Sequence, residues 1–434
     1  MTKSKNPETI SLHAGWRKDE STNSVAVPIH ATSSYQFDDA DHAANLFALS
    51  ELGNIYSRIM NPTNAVLEER VAALEGGVGA LALASGQAAS AYAIQNICEA
   101  GDNFVASSHL YGGTYNQFKN PLKDMGIEVR FVDPADPENF LKATDDRTRA
   151  YYGEVLPNPS FEVFPLKEVA DLGKPLGIPL IVDNTAAPVI CKPFDHGASV
   201  LLHSTTKYIG GHGNSIGGIL VDSGNFEWEK FPERQPKLNT PDPSYAGAVW
   251  TEAVKPLGPI AYILKARVTL LRDMGAAMSP FNAFMFLTGM ETLPLRMREH
   301  SKNAEKVADF LKNHKKVEKV IYPSEVAVDR AKKYLNGGNG GLMGFEIVGG
   351  RDAGKKFINA LELLYHVANI GDSKSLAIHP ASTTHSQLSE DELSDAGVTP
   401  GFVRLSIGIE HVDDIIADIE PVSYTHLRAH ETRT

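Results

Sequence analysis

Apolar and polar positions along the chain follow two alternating rhythms. Stretches such as AVLEERVAALEGG (65–77) place apolar residues at i, i+3, i+4 and i+7 and stop on glycine, which predicts an amphipathic helix. Between such stretches lie short apolar runs: GALALAS (79–85), NFVASS (103–108), EVRFVD (128–133), RAYYGEVL (149–156), IPLIVDN (178–184) and SVLLHST (199–205). Runs of this kind, spaced by helix-length segments, predict parallel strands of an α/β sheet covered on both faces. The alternation extends from about residue 61 to 220.

The flanks differ. Residues 1–60 are rich in Ser, Thr, Asn and Asp with little periodicity, and they read as an arm or a set of loops. Prolines at 232, 236, 241, 243, 256 and 259 mark 222–258 as a loop region long enough to suggest a functional or interface role. A long helix is predicted from Ala261 through ILKARVTLLRDMGAAM, and a turn at Gly337–Gly341. Strands are predicted over LMGFEIV (342–348) and FVRLSIGI (402–409), and a last helix over 411–420. The implied division is an arm (1–60), a large domain (61–258) and a smaller α/β domain (259–421). Residues 422–434, VSYTHLRAHETRT, follow the helix that stops at Pro421, are polar and aperiodic, and read as a non-native extension, the alternative being a genuine disordered terminus.

Composition narrows the classes. The 434 residues are 42% hydrophobic and 22% charged, ordinary for a globular protein of two or three domains. A net charge of −12 argues against a general affinity for nucleic acid or an anionic membrane, both of which need a basic footprint. Two cysteines, Cys98 and Cys191, cannot build a disulfide framework, and no CxxC or Cys/His cluster suggests a metal site. No secretory h-region and no run of about 18 apolar residues is found, which predicts a cytoplasmic protein.

In open α/β sheets ligands sit at the carboxyl ends of the strands. After the first run, Ser85-Gly86-Gln87 forms a small turn entering a helix, suited to aim backbone N–H groups at an anion. Tyr111 follows the second run among small residues and could stack on a flat ring. Asp183 closes a buried strand, and Lys207 follows the hydroxyls Ser204, Thr205 and Thr206. A lysine in apolar surroundings has its pKa depressed and becomes a nucleophilic amine. Taken singly, each has a plainer reading: a strand-to-helix turn, a packing tyrosine, a helix N-cap, a snorkelling lysine. Together they supply what pyridoxal phosphate requires: a phosphate cradle, a ring stack, a carboxylate for the pyridine nitrogen and an amine for the aldehyde.

The motifs LHAG (12–15), NIYSRIMNPT (54–63), SGQAA (85–89), LYGGTYN (110–116), VDNT (182–185), HSTTKYIGGHG (203–213), SPFNAF (279–284), HPASTTHSQLS (379–389) and VRLSIGIE (403–410) carry a specific resemblance. On these residues the chain resembles the Cys/Met-metabolism family of pyridoxal-phosphate enzymes, the cystathionine γ-synthase-like group of the aspartate-aminotransferase fold. Within the group it is most similar to the O-acetylhomoserine sulfhydrylase branch. The resemblance spans about residues 11–420. It implies a large, mostly parallel-sheet domain, a smaller C-terminal α/β domain, and pyridoxal 5'-phosphate held as an aldimine at Lys207.

Carried over residue by residue, Asp183 would face the pyridine nitrogen and Tyr111 would stack on the ring and take part in proton transfer. Ser85, Gly86, Gln87, Ser204 and Thr206 would hold the phosphate, and Asn158 the phenolic oxygen. Tyr56 and Arg58 would reach the phosphate of a neighbouring subunit, with Tyr56 also near substrate, which implies a homo-oligomer, a dimer or a tetramer of dimers. Arg404 would grip the substrate α-carboxylate with Ser375 beside it.

The implied reaction converts O-acetyl-L-homoserine and sulfide to L-homocysteine and acetate, or gives methionine with methanethiol. Lys374 stands where cystathionine-cleaving relatives tend to carry Glu, and Gly113 where methionine γ-lyases often carry Cys. Both favour the sulfhydrylase branch, while NTAAP (184–188) is one residue shorter than the group's common form. The nearest alternatives are an O-succinylhomoserine sulfhydrylase or a cystathionine γ-synthase, which share every cofactor residue. An inactive oligomeric scaffold is opposed by the retained Lys207, Asp183 and Arg404. A dinucleotide-binding protein is opposed by the lack of a suitable GxGxxG turn.

Overall fold

The computed structural model describes residues 4–383 and 399–420. The suspected extension at 422–434 and the second half of the HPASTTHSQLS motif lie outside these residues.

The six apolar runs form strands β1 Gly79–Leu83, β2 Asn103–Ser107, β3 Glu128–Val132, β4 Thr148–Glu154, β5 Leu180–Asp183 and β6 Val200–His203. They join a seventh, β7 Gly218–Asp222, in one sheet of order β1-β7-β6-β5-β4-β2-β3. Consecutive side chains of one strand enter opposite cores. Tyr151, Val182 and Leu201 pack on one face, and Tyr152, Ile181 and Leu202 on the other. Burial on both faces is why these strands read as unbroken apolar runs.

β7 departs from the expected pattern, pairing antiparallel with both β1 and β6. Its GILVD is as apolar as its neighbours, and strand direction leaves no mark on a run buried on both faces. The sheet is therefore mixed, six strands running one way and one reversed.

Helix Pro62–Glu75 begins on a proline after the Asn61 cap, and ends where Gly76 takes φ +82°, the left-handed geometry open to glycine. The predicted long helix runs from Ala261 to Met274 with a π-helical middle, and Gly275 stops it at φ +80°. The Pro-rich segment holds several short helical turns, and Trp250 and Leu238 anchor it in the core.

The first residues are less detached than their composition suggests. Helix Pro7–His13 buries Ile10 and Ser11, and Ala14 accepts a hydrogen bond from Arg70 Nε at 3.0 Å. Period counting missed this helix because seven residues hold fewer than two turns.

A second sheet follows, β8 Val317–Ile321, β9 Leu342–Ile347, β10 Tyr365–His366, β11 Leu376–Ile378 and β12 Phe402–Ser406, in the order β10-β11-β12-β9-β8. Helices Leu293–Lys312 and Val412–Ile419 cover it through Val307, Leu311, Ile415 and Ile419. This sheet turns the loop before β11, and the middle of β12, toward the carboxyl ends of β5 and β6.

Candidate active site

The site is assembled at the carboxyl edge of the large sheet. Ser85 caps helix Gly86–Gln95, its Oγ accepting from Ala88 N–H at 3.1 Å. Gly86 and Gln87, the first helical residues, have N–H groups with no intrahelical acceptor. A Cβ on Gly86 would stand 2.7 Å from Ser204 Cβ, so glycine lets this helix end sit directly on the turn after β6. That turn is fixed in turn by Ser204 N–H donating to Thr185 Oγ1 at 2.8 Å. The helix end and the hydroxyl-bearing turn are thereby pressed together, as a phosphate cradle requires. Thr206 Oγ1 is engaged with the Gly217 backbone at 3.1–3.2 Å, which fixes the turn's far side.

Lys207 follows in the same turn. Its ammonium donates to Asn369 Oδ1 at 2.6 Å, and no carboxylate pairs with it among the described residues. Burial, helped by the nearby positive charge of Arg404, lowers its pKa from 10.5 to about 8. Asn369 also accepts, through its backbone oxygen, from Arg404 Nη2 at 2.9 Å. One asparagine in the loop before β11 therefore links the nucleophilic amine to the arginine.

Arg404 lies in the middle of β12, and its Nε is buried with no hydrogen-bond partner. Burial lowers its pKa to about 10, with the Tyr111 and Tyr208 phenols close enough to oppose the shift. A buried guanidinium with an idle donor is an anion site, and its fork suits a carboxylate.

Asp183, the last residue of β5, accepts from Thr185 N–H at 2.9 Å. Burial raises its pKa, with the Thr185 hydrogen bonds opposing. Beside it, in register across β4 and β5, stands Glu154. Burial and the Asp183 charge push Glu154 well above the usual carboxylate range. Its Oε1 accepts from Tyr111 N–H at 2.7 Å. Tyr111 is 52% exposed, and its phenol is near enough to Arg404 to act on its charge. Asn158, four residues beyond β4, is half-buried at the same edge, before a cis peptide bond to Pro159.

Of the expected site residues, the fold thus gathers Ser85, Gly86, Gln87, Tyr111, Asn158, Asp183, Ser204, Thr206, Lys207 and Arg404 on one side of the molecule. Tyr56 and Arg58 are engaged with other partners. The Arg58 guanidinium stacks on Tyr56 at 5.4 Å and donates to the Arg272 carbonyl, and no described contact joins either residue to Lys207 or Arg404. Ser375 is fully buried, its hydroxyl donating to Glu410 Oε2 at 2.9 Å and accepting from Gly408 N–H at 2.8 Å. Its side chain fixes the strand, and Asn369 is the polar group of this loop that touches Lys207. Lys374 pairs with Asp372 at 3.1 Å.

Sequence reasoning missed Asn369 and Glu154. Asn369 lies in a loop whose path only the second sheet sets. Glu154 ends the run RAYYGEVL, and a carboxylate closing an apolar strand is the same signal that singled out Asp183.

These residues fit pyridoxal phosphate: a helix N-terminus and hydroxyls for phosphate, a carboxylate for the ring nitrogen, an amine for the aldehyde, and an idle guanidinium for an amino-acid carboxylate. Both cysteines are buried, which pushes their thiols up and out of nucleophilic range. Among the described residues no cluster of His, Cys, Asp and Glu could hold a metal.

Comparison with known proteins places this site in a class. Residues 8–422 match the model of the Cys/Met metabolism PLP-dependent enzymes, and the chain belongs to that family. Among its relatives, an O-acetyl-L-homoserine sulfhydrylase of Leptospira meyeri is 54% identical over 97% of each chain. An O-acetyl-L-homoserine sulfhydrylase of Thermus thermophilus is 50% identical over 95% of this chain and 98% of its own. A Campylobacter jejuni protein assigned as an O-acetylhomoserine (thiol)-lyase, 41% identical, superposes with a TM-score of 0.92 over 97% of this chain and 100% of its own. That structure carries an N'-pyridoxyl-lysine-5'-monophosphate. The chain accordingly has the fold type I architecture of pyridoxal-phosphate enzymes.

Proposed function

We propose that the protein catalyses γ-replacement on O-acetyl-L-homoserine, with sulfide giving L-homocysteine and acetate, and methanethiol giving methionine. The observation that carries the reading is the pairing of a depressed, carboxylate-free Lys207 with the idle guanidinium of Arg404 through Asn369. The relatives' activity supplies the ester and the sulfur donor.

Pyridoxal phosphate, bound covalently at Lys207, supplies the electron sink for charge left when protons depart the substrate's α- and β-carbons. Arg404 holds the α-carboxylate and so turns the α-hydrogen toward Lys207. Lys207, neutral in part near neutral pH, takes that proton at Nζ, and Asn369 Oδ1 keeps the amine aimed when it is free. Asp183 would keep a proton on the ring nitrogen. Tyr111 would stack on the ring, Asn158 would meet its phenolic oxygen, and the Gly86 and Gln87 amides with Ser85, Ser204 and Thr206 would hold the phosphate. Acetate leaves the γ-carbon and sulfide adds there.

In this reading residues 61–258 hold the cofactor and 259–421 close over the substrate. Tyr56 and Arg58, which make no described contact with their own chain's Lys207, serve the site of a second copy, so the working unit is at least a dimer. The setting is the cytoplasm; among the described residues no helix is long and apolar enough to cross a membrane.

Purified protein incubated with sulfide and either the acetyl or the succinyl ester of homoserine tests the reading. Homocysteine is expected from the acetyl ester. Consumption of the succinyl ester alone would overturn the substrate assignment, and a colourless protein that binds no pyridoxal phosphate would overturn the whole reading.

A further inference from the structure

We propose that Glu154 is a positioning residue of this site, fixing the backbone of Tyr111 beside Asp183 and so the place of the stacking ring. The proposal rests on the pyridoxal-phosphate reading above and adds to it a residue to which that reading gives no task.

Glu154 is only 6% exposed, at the end of β4. A carboxyl group buried there is costly unless something uses it. No lysine or arginine acts on it; the groups that do are Asp183 and the Tyr111 amide. Two facing acids without a cation share a single negative charge. The Thr185 N–H donating to Asp183 at 2.9 Å favours the charge there, while burial and the Asp183 charge hold Glu154 raised.

Tyr111 needs such an anchor. Half its surface is in solvent, so packing does not hold it, and it opens the short helix Gly112–Gln117 without a side-chain cap. Two independent features fix it. From the sheet, Glu154 Oε1 takes its N–H at 2.7 Å. From the helix, a Cβ on Gly113 would come within 2.5 Å of Tyr111 Cε1 and 3.2 Å of its hydroxyl, so the ring lies in the space a side chain would fill. A hydrogen bond to the neutral acid needs only an oxygen acceptor, which glutamine also offers.

The test compares Glu154→Gln, Glu154→Ala and Tyr111→Ala, singly and with the alanines combined. Readouts are kcat with O-acetylhomoserine, pyridoxal phosphate affinity of the cofactor-stripped chain, and visible circular dichroism of the bound cofactor. Glu154→Gln is expected within about threefold of wild type. Glu154→Ala, which takes away the acceptor of the Tyr111 N–H, is expected to lower kcat and cofactor affinity by at least about tenfold and to reduce the dichroic signal. In the Tyr111→Ala background the same change is expected to cost less than about threefold, because the backbone N–H it holds remains but the ring it positions is gone.

Equal damage from Gln and Ala, full multiplication of the two alanine effects, or a wild-type-like Glu154→Ala would each overturn the proposal. Should Glu154→Ala not fold, Glu154→Asp replaces it, being one methylene too short to reach the amide. Wild-type protein that binds no pyridoxal phosphate would instead refute the underlying reading, before any variant is made.

Discussion

The lowered pKa of Lys207 makes a quantitative claim about reactivity. An ordinary lysine at 10.5 is about 0.1% neutral at pH 7.5, whereas one at about 8 is roughly a quarter neutral, a gain of roughly 200-fold in reactive amine. In free energy the shift is about 3 kcal/mol, most of it from burial and the remainder from the Arg404 charge. The assay strips the cofactor with hydroxylamine, mixes the chain with excess pyridoxal phosphate from pH 6.5 to 10, and follows covalent capture by absorbance. N-α-acetyl-lysine serves as the solution reference. The amine reacts only when neutral, so the rate is expected to climb with pH through about 8 and level off, while the reference climbs through about 10. Arg404→Leu removes the neighbouring cation and should move the midpoint upward. Burial is the larger cause, so the midpoint should still lie below 10.5. A wild-type midpoint that matches the reference would refute the claim that the fold activates Lys207.

Three further predictions follow from the same geometry. Arg404→Leu removes the fork that meets the α-carboxylate and should lower kcat/KM for the ester at least about 100-fold, read by initial rates across ester concentration. Gly113→Ala puts a methyl group into the Tyr111 ring, so kcat should fall while thermal stability holds or rises, since alanine favours the helix by up to about 1 kcal/mol; unchanged kcat would count against the ring's position. Asp222 ends β7 fully buried, with Oδ1 accepting from Gly224 N–H at 2.9 Å and Oδ2 unpartnered, and burial raises it to about 7. A raised carboxyl pKa stabilises the fold below about 4, and that contribution is lost as pH rises through about 7. Asp222→Asn should therefore gain on wild type by about 2 to 3 kcal/mol between pH 5 and 8 in urea unfolding; a gain independent of pH would show that the carboxyl does not titrate there.

Much of this molecule was legible in the chain. The six apolar runs could be read because a strand buried on both faces excludes polar residues throughout, and all six became strands of one sheet. Gly86 and Lys207 could be read because a turn pressed against its neighbour and an amine after hydroxyls each demand particular residue types. Asp183 stood out as a charge closing an apolar strand, though the same rule applied evenly would have marked Glu154 too.

Tertiary structure decided the rest, for reasons of distance and direction. Whether β7 runs with or against its neighbours depends on the path of the loop before it, and an apolar run has no polarity of its own. That Asn369 meets Lys207, 162 residues away, depends on the second sheet turning its loop onto the first. Ser375 directly precedes β11 and Arg404 lies on its paired strand β12, yet one spends its side chain on Glu410 and the other keeps Nε free. Residue types along the chain determined what chemistry was available. The packing of two sheets, through hydrogen bonds and burial that no local pattern encodes, decided which of those groups meet and which amine is driven to react.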